Sequence, residues 1–410
     1  MAVLDIDVLS PEVYRDGDPE QNGLPHAAYA LLRADAPCYR HKLHDPMMIP
    51  ETWVVTRHAD VARVNRDGET FCNGAGPTLR AFTPFEPDKG GRPAMIAMDG
   101  AEHRRNRRTV NRGFTPNVVK TFENHFRAVA ADLVSKAVHK GEFDFVPDLA
   151  VEMPLTAISD LMGVPHGDRQ KFLAWVNAIA VPTDPNFAPS LEDSMTALAN
   201  LWSYGLELAE HRRKEPGEDL MSRIVEAHAE DMLSEDELQG LMVMLAGAGT
   251  DTTRNTLTHG LHALLRHPAQ MAWLRDHADS IPMSAVQELV RWASPVIHFR
   301  RTATRDTHIN EQPIKKGETV TMLFAAANFD ETVIPDPMSF DLSRQVNPHL
   351  SFGVGPHACL GKHIAAVEIR VFFEELLKRT SHIEQVGPIG YVRDNFFRGA
   401  HTLPVSVRRS

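Results

Sequence analysis

Between residues 101 and 293 the apolar positions recur at three- and four-residue spacing, the period of helices with one buried face. The clearest case opens at Ser234 and Glu237, which form a capping box. Leu238, Leu241, Met242 and Leu245 make its apolar stripe, which continues through Ala248, Gly249 and Thr252 to about Thr256. Small residues and a hydroxyl on a buried face fill space poorly. Two readings follow: a crossing point between helices, or room for a flat ligand, with Gly249 allowing close approach and a local opening of the helix. Asp99 and Glu102 are expected to cap a helix running to Gly113, and Thr115 and Pro116 open the next. A further helix lies between Pro282 and Pro295, and Ile364, Val367, Val371 and Phe372 mark another. Strand signals are few: residues 52–56, a hairpin over 309–324 with its turn near Asn310–Gln312, and short strands over 381–407. The expectation is a mainly α protein with a small β-sheet region, a single domain over residues 1–410. Residues 72–93 and 181–190, rich in Gly and Pro, fit neither pattern and read as functional lids or surface loops.

Composition narrows the function classes. A net charge of −11 argues against nucleic acid or acidic lipid as a partner. The first ten residues lack a basic segment and an apolar run, and the apolar stretch 241–249 is far too short for a bilayer of roughly 30 Å, so no membrane span and a cytoplasmic protein are expected. The three cysteines, Cys38, Cys72 and Cys359, are too few and too widely spaced for a disulfide framework. Cys38 and Cys72 read as small buried hydrophobes.

Cys359 differs. It sits in Ser-Phe-Gly-Val-Gly-Pro-His-Ala-Cys-Leu-Gly (351–361), where Gly353 and Gly355 permit tight turning and close backbone approach. The helical pattern that follows places it near a helix start, where free N–H groups and the dipole favour a thiolate. On those grounds two readings stay open: a thiolate metal ligand on one side, and on the other a structural cysteine in a turn or a nucleophile with a His partner. A second cluster lies near residue 105. At about 100° per residue, His103, Arg107, Val110 and Phe114 share one helix face, and Arg104, Arg105, Arg108 and Arg112 another. A plain solvated helix would not set His and Arg among apolar residues.

Phe352, Gly355, Cys359 and Gly361 resemble the haem-binding signature of the cytochrome P450 family, and the resemblance extends over essentially the whole chain. It implies the cytochrome P450 fold, haem (heme b, iron protoporphyrin IX) as cofactor, and Cys359 as the iron ligand. Ala248-Gly249-Thr250-Asp251-Thr252-Thr253 resembles the family's oxygen-activation motif, in which the acid and the first threonine, here Asp251 and Thr252, deliver protons. By the same resemblance His103, Arg107, Arg301 and His357 bind the haem propionates, Arg301 being preferred to Arg300 because Thr-Ala follows it. Glu288 and Arg291, completed by Arg344, resemble the family's buried ion pair and are assigned to folding. Met244, Ala248, Val296, Ile297, Phe396 and Phe397 match stretches that line the substrate cavity, so a hydrophobic small molecule is expected: a terpenoid, steroid, alkane, branched lipid or aromatic. His298 is read as a satisfied histidine near the propionates.

The resemblance implies a monooxygenase that uses dioxygen. No flavin or iron–sulfur segment is visible, so electrons are expected from a ferredoxin-type donor docking on the Arg104–Arg112 face and Lys362. Two rivals are a haem sensor without oxygenase activity and a peroxide-dependent peroxygenase; neither needs the Asp251–Thr252 pair.

Overall fold

A computed structural model of the chain describes residues 7–81, 85, 91–111, 113–114, 116–180, 190–217, 219–229 and 233–410. Helices dominate. The longest, Glu235–Arg266, has 32 residues and therefore spans about 48 Å. Its start is the expected capping box: Ser234 Oγ accepts from Glu237 N–H at 3.1 Å, and the Glu237 carboxylate accepts from Ser234 N–H at 2.7 Å. This central helix packs against Glu152–Met162, Arg169–Ala180, Leu191–Lys214, Met283–Ala293 and Lys362–Arg379, and the last of these lies along Pro116–Val138. Among the described residues no helix is long and apolar enough to cross a membrane.

A five-stranded sheet lies to one side, in the order Cys38–Lys42, Glu51–Val55, Thr319–Leu323, His298–Ala303, Phe71–Cys72. Its pairings are antiparallel except Glu51–Val55 on Thr319–Leu323, where Trp53 faces Val320. The expected hairpin is shorter than residues 309–324. Thr307–Ile309 pairs with Gln312–Ile314 around a turn at Asn310 (φ 51°), and Thr319–Leu323 joins the large sheet instead. The tail forms four short strands as its pattern suggests, two of them, Thr380–Gln385 and Pro404–Arg409, joined to Glu142–Asp144 in a three-stranded sheet. Of the two irregular stretches, 82–84 and 86–90 in the first and 181–189 in the second lie outside the described residues; Cys72 ends the short strand Phe71–Cys72, and Asn73 and Pro77 line a cavity.

Candidate functional site

The cysteine loop is built by two glycines. Gly353 (φ 61°) and Gly355 (φ 78°) adopt the left-handed conformation that side chains resist. A Cβ on Gly355 would sit 2.8 Å from Arg66 Cα, so the turn also needs the missing side chain to pack on 65–66. Asn65 Oδ1 accepts from Val354 N–H at 2.7 Å, and Cys359 N–H donates to the Phe352 carbonyl at 2.7 Å, closing the loop. The helix itself begins at Lys362, three residues past the cysteine, so Cys359 precedes the helix start rather than occupying it. Burial pushes its thiol above the usual value; the N–H groups of Gly361 and Lys362 and the charges of Arg107 and Lys362 oppose this without reversing it. The expectation of a lowered thiol pKa is therefore corrected: in protein alone, desolvation wins. A metal changes the balance, because a coordinated thiol loses its proton.

Cys359 and Phe352 line an inner cavity together with His103, Arg107, Arg301 and His357. The His103 and His357 rings lie 4.0 Å apart, and Arg301 is fully enclosed. Burial lowers the basicity of all four, taking Arg301 to about 10, and the neighbouring cations add to the effect at His103 and at His357, which falls to about 2. His103 Nε2 has no hydrogen-bond partner among the described residues. Four cationic or donor groups facing one cavity, one of them orphaned, fit a ligand that brings carboxylates. Arg300, on the other face of the strand, donates to the Gly76 carbonyl at 3.0 Å and to that of Ala75, and of the two arginines it is Arg301 that lines the cavity. Asp99 accepts from the backbone of Asn73 and Gly74, at 2.9 Å each, instead of capping the helix that follows it.

The central helix supplies Met244, Ala248, Gly249 and Thr252 to the same cavity. The helix is unbroken at Gly249, whose missing Cβ would meet Ile158 Cδ1 at 2.8 Å. Both readings of the small residues hold in part: they admit a crossing helix and leave room beside it. Thr252 Oγ1 donates to the Ala248 carbonyl at 2.8 Å. Asp251 does not share that wall. It is wholly buried behind it, paired with Arg254 at 2.6 Å, and burial raises its carboxyl pKa although Arg254 opposes. Arg254 also donates to Asn177 Oδ1 at 3.3 Å. Its partnership with Asp251 was missed in the sequence, although the i,i+3 spacing signals it.

An apolar outer chamber of about 560 Å³ adjoins the inner one, sharing Met244, Ala248, Thr252, Val296 and Phe299 with it and adding Phe396 and Phe397. Ile297 is corrected: it is fully buried in the core, with its N–H bonded to the Phe396 carbonyl at 2.8 Å. Phe299, two residues from Arg301 and so on the same strand face, lines the cavity instead. His298 points the opposite way, its Nδ1 paired with the Asn395 carbonyl at 2.9 Å, away from the His103–Arg301 cluster. Glu368, also missed, lines the inner cavity with an unpartnered Oε1, and burial lifts it to about 8. An acid one turn beyond Ile364 in an inward stripe was the available sign.

Glu288, Arg291 and Arg344 come together, Glu288 and Arg291 wholly buried and Arg344 partly so. Arg291 grips Glu288 with two bonds of 2.7 Å, and Arg344 Nε lies 3.4 Å away. On the helix before the cavity, Arg104 and Arg108 are exposed, whereas Arg105 is corrected out of the basic face: it pairs with the buried capping Glu237. Arg112 lies outside the described residues. Cys38 is buried and Cys72 half-buried.

The family model for cytochrome P450 matches residues 38–389. A methyl-branched lipid omega-hydroxylase of Mycobacterium tuberculosis is 36% identical over 98% of this chain and 95% of its own. A steroid C26-monooxygenase of Mycolicibacterium smegmatis is 36% identical over 85% and 81%. A Mycobacterium marinum cytochrome P450, solved in complex with pseudoionone, superposes with a TM-score of 0.89 at 34% identity, covering 99% of this chain and 100% of that one. Sequence and fold agree along nearly the whole length: the chain belongs to the cytochrome P450 family, and is a monooxygenase with haem as its cofactor.

Proposed function

We propose that this enzyme hydroxylates a C–H bond of a branched aliphatic lipid or a steroid side chain, using electrons from a separate ferredoxin-type protein. One observation carries the reading: a single cavity has the Cys359 loop, four cationic or donor side chains and the Thr252 hydroxyl on its walls, and adjoins an apolar chamber. Cys359 would ligate the iron, His103, Arg107, Arg301 and His357 would hold the propionates, and Phe352, Ala248 and Gly249 would pack against the ring. When bound, the haem supplies dioxygen activation and oxygen insertion. Thr252 holds a hydroxyl proton at the wall of the cavity. Asp251, one residue away and kept from solvent, is the acid that replenishes it. The outer chamber, with Val296, Phe396 and Phe397, excludes water and orients an apolar chain. The names of the two relatives support this substrate class, and packing of the central helix on helices from both halves of the chain supports reading residues 1–410 as one domain.

Thr252→Ala, assayed with a methyl-branched fatty acid, is expected to keep consuming electrons while product per electron falls about tenfold or more, the balance appearing as hydrogen peroxide. Retained product formation driven by added peroxide would favour a peroxygenase, and no product from the unsubstituted enzyme would favour a sensor. The donor is proposed to dock on exposed Arg104, Arg108 and Lys362, a basic patch on an acidic protein. Arg104→Glu with Arg108→Glu should slow reduction and flatten its salt dependence; unchanged reduction kinetics would remove the patch from the account.

A further inference from the structure

Asp251 presents a supply problem. It lines neither chamber as described, yet an acid that gives up a proton in each turnover must be recharged. The central helix carries a candidate route. At about 100° per residue, Asp251, Asn255, His259 and His262 fall within a sector of about 80°, and all four are buried. That face looks onto the C-terminal segment. A Cβ on Gly399 would lie 3.7 Å from Asn255 Oδ1, His259 Nε2 pairs with the Arg398 carbonyl at 3.1 Å, and His262 Nδ1 meets Gln385 Oε1 at 3.1 Å. The His259 ring stacks on Tyr391 at 5.9 Å. One turn beyond His262, Arg266 reaches the surface and pairs with the exposed Glu20.

The polar atoms along this face are left over. Both side-chain heteroatoms of Asn255, His259 Nδ1 and the Tyr391 hydroxyl have no hydrogen-bond partner among the described residues. Each such group, buried dry, would cost about 1–3 kcal/mol, so four on one face would consume much of a typical domain's stability. Buried polar atoms without protein partners are normally met by ordered water. Because a carbonyl accepts at His259 Nε2, the hydrogen sits there and Nδ1 is an acceptor. Burial and Arg398 keep the ring neutral, so it orients water rather than carrying charge itself.

We propose that this face holds a file of ordered waters that conducts protons from the surface near Gln385 and Arg266 to Asp251, with Asn255 and His259 as positioning residues. The path covers eleven residues, about 16 Å of helix. A proton enters from bulk solvent, passes between waters, and replaces the one that Asp251 has released toward Thr252; no other reactant is required. The inference rests on Asp251 being the proton donor.

Two measurements on the haem-loaded enzyme test it: ordered water in high-resolution crystals, and turnover in light and heavy water. The file predicts waters on Asn255, His259 Nδ1 and the Tyr391 hydroxyl. In Asn255→Leu/His259→Phe those waters are displaced, turnover falls about tenfold with a larger solvent isotope effect, and the substrate-induced spin shift is unchanged. His259→Gln, which keeps an acceptor at the same depth, restores the rate, separating water positioning from damage to the fold. A dry face in the unsubstituted protein, or a blocked face with unchanged turnover and isotope effect, overturns the file. If Asp251→Asn alone leaves both unchanged, the donor reading of Asp251 fails; if Asp251→Asn is slow while the blocked variant is not, only the file fails.

Discussion

Cys359→Ser is expected to abolish hydroxylation, with turnover reduced at least about a thousandfold, while haem is still retained in part. The loss follows because a serine hydroxyl is a far weaker donor to iron than a thiolate, and donation from the thiolate is what favours cleavage of the bond between the two oxygens. Partial retention follows because His103, Arg107, Arg301 and His357 do not depend on the sulfur. They come from the helix Gly100–Asn111, the strand His298–Ala303 and the cysteine loop, and they face the cavity independently of residue 359. Pigment content by absorbance, compared with product by mass spectrometry, checks both halves. A serine variant with near-normal turnover would place the iron ligand elsewhere.

The second large effect is on stability. Glu288→Ala should destabilise the protein by about 3–5 kcal/mol, a large share of what holds a domain together. Glu288 is fully buried and accepts from Arg291 twice, from Asn347 Nδ2 at 2.9 Å and from the Asp341 N–H at 3.0 Å, with Arg344 beside it. Truncation strands the Arg291 guanidinium in the core. The damage should reach the cysteine loop as well. Arg291 also bonds the Asn328 carbonyl at 3.1 Å, and the Asn328 side chain holds Leu350 N–H at 2.7 Å and Ser351 Oγ at 2.8 Å. Haem loading should therefore fall along with the urea midpoint. Glu288→Gln, which keeps the acceptor but not the charge, should lie between. A loss below about 1 kcal/mol would mean that the three residues are not the structural anchor assigned to them.

What could be read from the sequence was set by how local each signal is. The capping box at Ser234 and Glu237, the turning glycines at 353 and 355, and the inward face of His103 and Arg107 depend on neighbours within a turn or two, and all take the form expected of them. Signals that depend on distant partners were misread. Arg105 shares a helix face with Arg104 and Arg108, but the carboxylate that claims it is at Glu237, 132 positions away. Asp99 has the position of a cap, yet the N–H groups it accepts from are at Asn73 and Gly74. Ile297 lies one residue before the strand His298–Ala303, where its N–H bonds the Phe396 carbonyl, so the strand's period does not place it, and the packing of the distant C-terminal segment puts it in the core while Phe299 lines the cavity. The depth of Asp251 behind Thr252 was hidden for a different reason: consecutive helix residues differ by about 100° in direction, so adjacent motif positions do not share an environment. The pKa of Cys359 was misjudged because local dipoles can be read from sequence, whereas burial depends on the whole fold.

The most direct test of the central claim is the absorption spectrum of the purified, reduced protein under carbon monoxide. Iron ligated by the Cys359 thiolate gives a Soret band strongly shifted to the red, and that band should be present before any substitution and absent from Cys359→Ser. A band at the shorter wavelength typical of histidine or thiol ligation in the unsubstituted protein would contradict it.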